Sequence, residues 1–128
     1  MMNGRLDFIE EVANWNEVRS NKGYVSSLEY AMLDEELEEF MEAGITGDKV
    51  GQADALADIL VVAAGGLYKL CGGNIGKVQD ILLAVTAANN TKSSEKNKYG
   101  KITKPDDFIG PEDMIREILD ADVEEYLC

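Results

Sequence analysis

Residues 49–66 read Lys49-Val50-Gly51-Gln52-Ala53-Asp54-Ala55-Leu56-Ala57-Asp58-Ile59-Leu60-Val61-Val62-Ala63-Ala64-Gly65-Gly66. The pattern predicts a helix from Lys49 to about Leu70, with Thr46-Gly47-Asp48 as turn and N-cap before it and Cys71-Gly72-Gly73 as its stop. Apolar residues stand on nearly every side, so such a helix belongs in a bundle centre or at a subunit interface. Two acids interrupt it. Asp54 and Asp58 are i, i+4 and share a stripe continued by Val61 and Gly65. A carboxylate followed by six apolar residues is seldom left unpaired. A buried salt bridge or a helix-end hydrogen bond is one way of pairing it. A cation is the other, and basic residues are scarce here.

The flanking sequence supplies more helices. Leu6, Ile9, Val12 and Ala13 mark a helix over about Arg5 to Arg19, broken by Asn21-Lys22-Gly23. Ser26-Ser27-Leu28-Glu29 has the spacing of a capping box and opens a second helix that runs to about Ala43. A fourth is expected from about Ile75 to Asn90. A last one follows Gly110-Pro111-Glu112 and carries Met114, Ile115, Ile118 and Leu119. Strand patterns are weak throughout. The expectation is an all-α chain, a four-to-five-helix bundle in a single domain over residues 1–128. Residues 93–110, rich in Ser, Lys, Asn and Gly, read as a flexible loop.

Composition removes several classes of function. The chain has 128 residues, 12 Lys+Arg against 25 Asp+Glu, and a formal net charge of -13. That opposes a nucleic-acid backbone surface and docking on anionic membranes. There is no His, so imidazole bases, Ser-His-Asp triads and His-ligated zinc are excluded. Cys71 and Cys128 have no metal-type spacing and read as thiols of a reducing, cytoplasmic compartment. No signal-peptide core opens the sequence, and the longest apolar run, Ile59 to Leu67, is too short to span a bilayer.

The second helix carries Asp34-Glu35-Glu36-Leu37-Glu38-Glu39-Phe40-Met41-Glu42. A solvated face is the ordinary meaning of such a run. With Leu33, Leu37 and Phe40 marking the core direction, Glu38 and Glu42 fall outward. Glu36 falls beside Met32 and Ala43, and Glu39 lies one turn on. Glu36 and Glu39 are thus expected to point together at the bundle's edge, where a cation between them would relieve their repulsion. Carboxylates on two facing helices, without His, suit a hard ion such as Mg²⁺. Asn89 and Lys92, at i, i+3, close the fourth helix on the face of Ile81, Val85 and Ala88. Lys92 either snorkels outward or meets a phosphate. Lys96, Lys98, Lys101 and Lys104 extend this into the main basic stretch of the chain, unless they belong to a merely solvated loop. Trp15, Tyr24 and Tyr30 could stack on a base, although aromatics at helical spacing are more often core.

With these residues in place, the sequence resembles the all-α nucleoside triphosphate pyrophosphohydrolases, the MazG-like superfamily that includes dimeric dUTPases, dCTP pyrophosphatases and phosphoribosyl-ATP pyrophosphohydrolases. Glu35-Glu36-Leu37-Glu38-Glu39 fits their E-E-x-x-E in full. Their E-x-x-D is matched only at Asp58, with Ala55 where Glu is usual. Asp54-Ala55-Leu56-Ala57-Asp58 instead looks like the D-A-L-x-D variant of phage and bacterial members. Ala88-Asn89-Asn90-Thr91-Lys92 and Gly100-Lys101-Ile102-Thr103-Lys104-Pro105 look like that variant's downstream segments. The resemblance spans roughly residues 28–119. It implies hydrolysis of a nucleoside triphosphate to monophosphate and pyrophosphate, with Mg²⁺, or Mn²⁺ as a substitute, on Glu36, Glu39, Asp58 and Asp54. Glu35 would position the nucleophile or support the ligands. Asn89 would contact sugar or phosphate, and Lys92, Lys101 and Lys104 the polyphosphate. It also implies self-association as a dimer or tetramer. The competing readings are a phosphoribosyl-ATP pyrophosphohydrolase and a non-catalytic acidic interaction protein.

Overall fold

The computed structural model describes residues 7–121, all helix and connection: α1 (Phe8–Val18), α2 (Ser26–Ile45), α3 (Lys49–Leu70), α4 (Ile75–Asn89) and α5 (Glu112–Asp120). The expected all-α class stands. The expected start of α1 at Arg5 and Leu6, and Cys128, lie outside the described residues. The chain divides after Ile75 into two compact units.

In the first unit α3 packs against both α1 and α2. Asp48 caps α3, its Oδ1 accepting from Gly51 N at 2.9 Å, as the turn sequence requires. Gly72 and Gly73 end it with φ of +64° and +81°, and Gly73 N donates to Tyr68 O at 2.9 Å. The inward stripe of α2 keeps Leu33 and Phe40, as expected, but not Leu37. Leu37 is exposed, whereas Glu29, Met32, Leu33, Glu36, Phe40 and Ala43 are buried or half-buried. Glu29 forms no capping box either. The N-cap is Val25, without a side-chain bond, and Glu29 turns inward to pair with Lys69. Both side chains are almost fully buried, at 8% and 3% exposure. Gly65 and Gly66 make room for this. A Cβ at Gly66 would stand 3.0 Å from Glu29 Oε2, and one at Gly65 3.4 Å from Asn16 Nδ2. Close approach therefore offsets the cost of about 1 kcal/mol per helical glycine. Tyr68 Oη donates to Glu17 Oε2 at 2.9 Å and ties α3 to α1.

Burial on every side of α3 is not found within the chain, where Val50, Leu56, Leu60, Val61 and Leu70 are exposed. The run Ile59–Leu67 lies inside a 22-residue helix that is long and apolar enough, by length and composition only, to cross a membrane. Yet Lys69 on this helix is paired and Asp58 packs against acids of α2, as in a core helix. Trp15, Tyr24 and Tyr30 are exposed rather than core.

In the second unit Lys77 Nζ donates to Leu119 O and Ala121 O at 3.1 and 2.8 Å, joining the start of α4 to the carbonyl end of α5. Residues 93–110 form the expected irregular connection, with internal order. Lys96 and Ile102 form an isolated antiparallel bridge, and Asn97 Oδ1 accepts from Tyr99 N and Lys101 N at 2.9 and 3.1 Å.

Lys69→Met strands Glu29 as a buried, unpaired anion and is expected to lower the unfolding free energy by about 3–5 kcal/mol. Urea denaturation measures this. Glu29→Met combined with Lys69→Met should recover most of the loss, since an apolar pair of similar volume replaces a buried ion pair with little penalty.

Candidate metal centre

Glu36 and Glu39 are one turn apart on α2, and Asp58 faces them from α3. One carboxylate oxygen from each lies within 4.8 Å of the other two. Glu36 and Asp58 are half-buried and Glu39 is exposed, so the cluster opens to solvent on one side. Its register follows from the helix pairing. Glu29 and Glu36 are seven residues apart on one stripe of α2, and Glu29 meets Lys69 while Glu36 meets Asp58, so the helices run antiparallel.

The electrostatics are unbalanced. Glu36 Oε2 is shut away from solvent and accepts no hydrogen bond. Its burial, then a hydrogen bond with Glu39 and the like charges of Glu39, Asp58 and Glu35, push the Glu36 carboxyl from 4.5 up to about 7. A proton or a cation among these oxygens would relieve this repulsion. All-oxygen donors on two helices, one of them buried without a donor, are the ligand chemistry of a hard divalent ion. Among the described residues no other group of three acids or cysteines converges in this way.

The other expected residues separate. Asp54, one turn before Asp58, is exposed and is not one of the three converging acids. Glu35 is exposed beside Glu36 and acts on it through its charge. Asn89, Lys92, Lys101 and Lys104 belong to the second unit. There Lys92 is not on the helical stripe of Ile81 and Val85. α4 stops at Asn89, whose carbonyl accepts from Lys92 N at 3.1 Å, and Lys92 stands in the following turn. Its Nζ lies 5.3 Å from the Phe108 ring, and Lys104 Nζ lies 5.4 Å from the same ring. Phe108 thus gathers two lysines twelve positions apart by cation–π attraction. Asn89 and Lys101 are exposed.

Reading the sequence missed Glu29, Lys69, Asn16 and Phe108. Glu29 and Lys69 were discoverable, because Glu29 is seven residues before Glu36, and Lys69 continues the stripe of Asp58, Val62 and Gly65. Phe108 carries no local signal.

The family model described as phosphoribosyl-ATP pyrophosphohydrolase matches residues 5–72. The match covers all three converging acids and ends before Asn89, Lys92 and the Gly100–Pro105 segment. No curated protein matches the chain.

Because the folded Glu36 pKa lies above its unfolded value, the contribution to stability is full below about pH 4.5 and is lost as pH rises through about 7. Metal-free protein should therefore melt at a lower temperature at pH 8 than at pH 5. Glu36→Gln should flatten this dependence, and a divalent cation should raise the pH 8 melting temperature of the wild type but not of the variant. Calorimetric scans in EDTA and in excess Mg²⁺ test both.

Proposed function

The chain belongs to the phosphoribosyl-ATP pyrophosphohydrolase family, and we propose that Glu36, Glu39 and Asp58 hold the Mg²⁺ with which it cleaves a nucleoside triphosphate into monophosphate and pyrophosphate. As a member, it is a nucleotide pyrophosphohydrolase, a hydrolase of phosphoric anhydride bonds that works with a divalent metal. The single observation behind the ligand assignment is the convergence of three carboxylates around an oxygen that has no donor. When bound, the cation offsets the charge of the phosphates and acidifies water. The protein's own part is to keep Glu36 and Asp58 in a half-buried groove, where their negative charge is poorly hydrated and a cation is strongly preferred. Asp54, exposed one turn away, is a ligand directly or through water. Glu35 orients the attacking water or supports the metal ligands from beside Glu36. Mn²⁺, with the same preference for oxygen, substitutes.

A triphosphate approaching a chain of net charge -13 also needs positive groups. Lys92 and Lys104, gathered on Phe108, serve as its phosphate ligands, with Lys101 as a more exposed helper and Asn89 contacting sugar or phosphate. The exposed Leu56 and Leu60 of α3 support self-association as a dimer or tetramer. A reducing, cytoplasmic setting suits the buried Cys71. Phosphoribosyl-ATP is the second substrate reading, favoured by the description of the matching family.

Chromatography of products from a panel of triphosphates and phosphoribosyl-ATP distinguishes these substrates. The expected products are monophosphate and pyrophosphate; diphosphate and orthophosphate would refute the bond assignment. Asp58→Asn should lower kcat by about a hundredfold or more, as losses of charge stabilisation at a reacting centre do. Lys92→Ala should lower kcat/KM without an equal loss of melting temperature, and Lys101→Ala should do less, mainly at low salt, where an exposed charge is least screened.

A further inference from the structure

The first unit holds a cavity of about 360 Å³ whose walls include Trp15, Met32 and Val62 and whose buried polar members are Asn16, Glu29 and Lys69. Two of those polar groups are internally accounted for. Asn16 Nδ2 donates to Val12 O at 2.9 Å and its Oδ1 accepts from Asn21 Nδ2 at 2.7 Å. Lys69 Nζ is drawn to Glu29 Oε1. Glu29 Oε2 is different: the side chain is more than nine-tenths buried, and this oxygen accepts no hydrogen bond among the described residues. A buried carboxylate oxygen without a donor is costly and calls for one from outside the chain.

The cavity and the carboxylate cluster lie along the same α2–α3 pairing. Glu29 and Glu36 are i, i+7 on α2; Asp58 and Gly65 are i, i+7 on α3. Seven residues of helix rise about 10 Å, the scale of a nucleoside. Met32 and Val62 fill the interval with apolar surface. The Trp15 indole, with the Arg19 guanidinium 4.3 Å from its centroid, adds an aromatic wall. Apolar and aromatic walls around one acceptor are suited to a flat heterocycle that carries an N–H donor.

We propose that this cavity takes the base of the nucleotide whose phosphates meet Glu36, Glu39 and Asp58, and that Glu29 Oε2 selects bases bearing an exocyclic amino group. This rests on the hydrolase reading of the cluster. Cytosine and adenine present an amino group that a carboxylate can accept from. Uracil and thymine present on that edge a single N–H flanked by two carbonyl oxygens, whose lone pairs face the carboxylate. A hydrogen bond to a charged group accounts for a preference of about ten- to a hundredfold.

Nucleosides test this apart from catalysis, because they carry no phosphate and bind without metal. Cytidine, adenosine, uridine and thymidine are titrated in EDTA against the fluorescence of Trp15, the sole tryptophan, and by calorimetry. Cytidine and adenosine should bind at least about tenfold more tightly than uridine and thymidine. Glu29→Gln, whose amide both donates and accepts, should narrow that gap. Since it strands Lys69, Val61→Phe provides a second variant that intrudes on the cavity and keeps the ion pair; it should weaken all four nucleosides. Equal affinities in the wild type, or affinities untouched by Val61→Phe, overturn the inference: Glu29 would then be satisfied by water alone. Neither result touches the hydrolase reading. Conversely, amino-selective binding with no hydrolysis of any triphosphate would sink that reading and leave the cavity as a base site.

Discussion

Between α2 and α3 a groove holds the carboxylates of Glu29, Glu36, Glu39 and Asp58 and the ammonium of Lys69. Charges removed from water must be compensated, and the groove does this in two ways. At one end Lys69 neutralises Glu29. At the other no ion pair meets the acids among the described residues, and Glu36 is left with its carboxyl pushed up to about 7 by burial and by its acidic neighbours. The first arrangement fixes the register of two antiparallel helices. The second leaves an excess of negative charge of the kind that a divalent ion offsets. A structural role and a functional one thus come from the same residue chemistry, separated by two turns of helix.

The same groove explains composition that would otherwise look wasteful. Gly65 and Gly66 in mid-helix lower helix propensity, yet they let Asn16 and Glu29 come within contact of the α3 backbone. Ala55, one turn before Asp58, is almost fully buried, so only a small side chain occupies the inner face of α3 there. The excess of acid over base is tolerable for a polyphosphate hydrolase only with a metal and with local positive groups. In the second unit Lys92 and Lys104 share the ring of Phe108, and these are the positive groups proposed for that role. Membership in a pyrophosphohydrolase family accords with the converging acids of α2 and α3, which lie within the matched residues.

Much was legible without coordinates. The extents of α3 and α4 follow from Asp48, Gly72 and the apolar runs, and Glu36, Glu39 and Asp58 could be singled out from helical angles and the acid motif. Other readings failed for a common reason. Glu29 had the spacing of a capping box but pairs with a lysine forty positions away, and Leu37 had the hydrophobicity of a core residue but faces solvent. Local pattern weighs a residue against its near neighbours, whereas burial depends on which stripe of a helix finds a partner.

By itself the amino-acid sequence determined the helices, their caps and breaks, the acid motif and the class of chemistry, because each depends on residues within a few turns of one another. Which stripe of α2 turns inward, that Glu29 is neutralised while Glu36 is not, that Lys92 leaves the helix for Phe108, and that a cavity opens beside Trp15 were decided only by tertiary structure. These depend on the register of one helix against another and on which charges lose their water, and both are set by contacts distant in sequence.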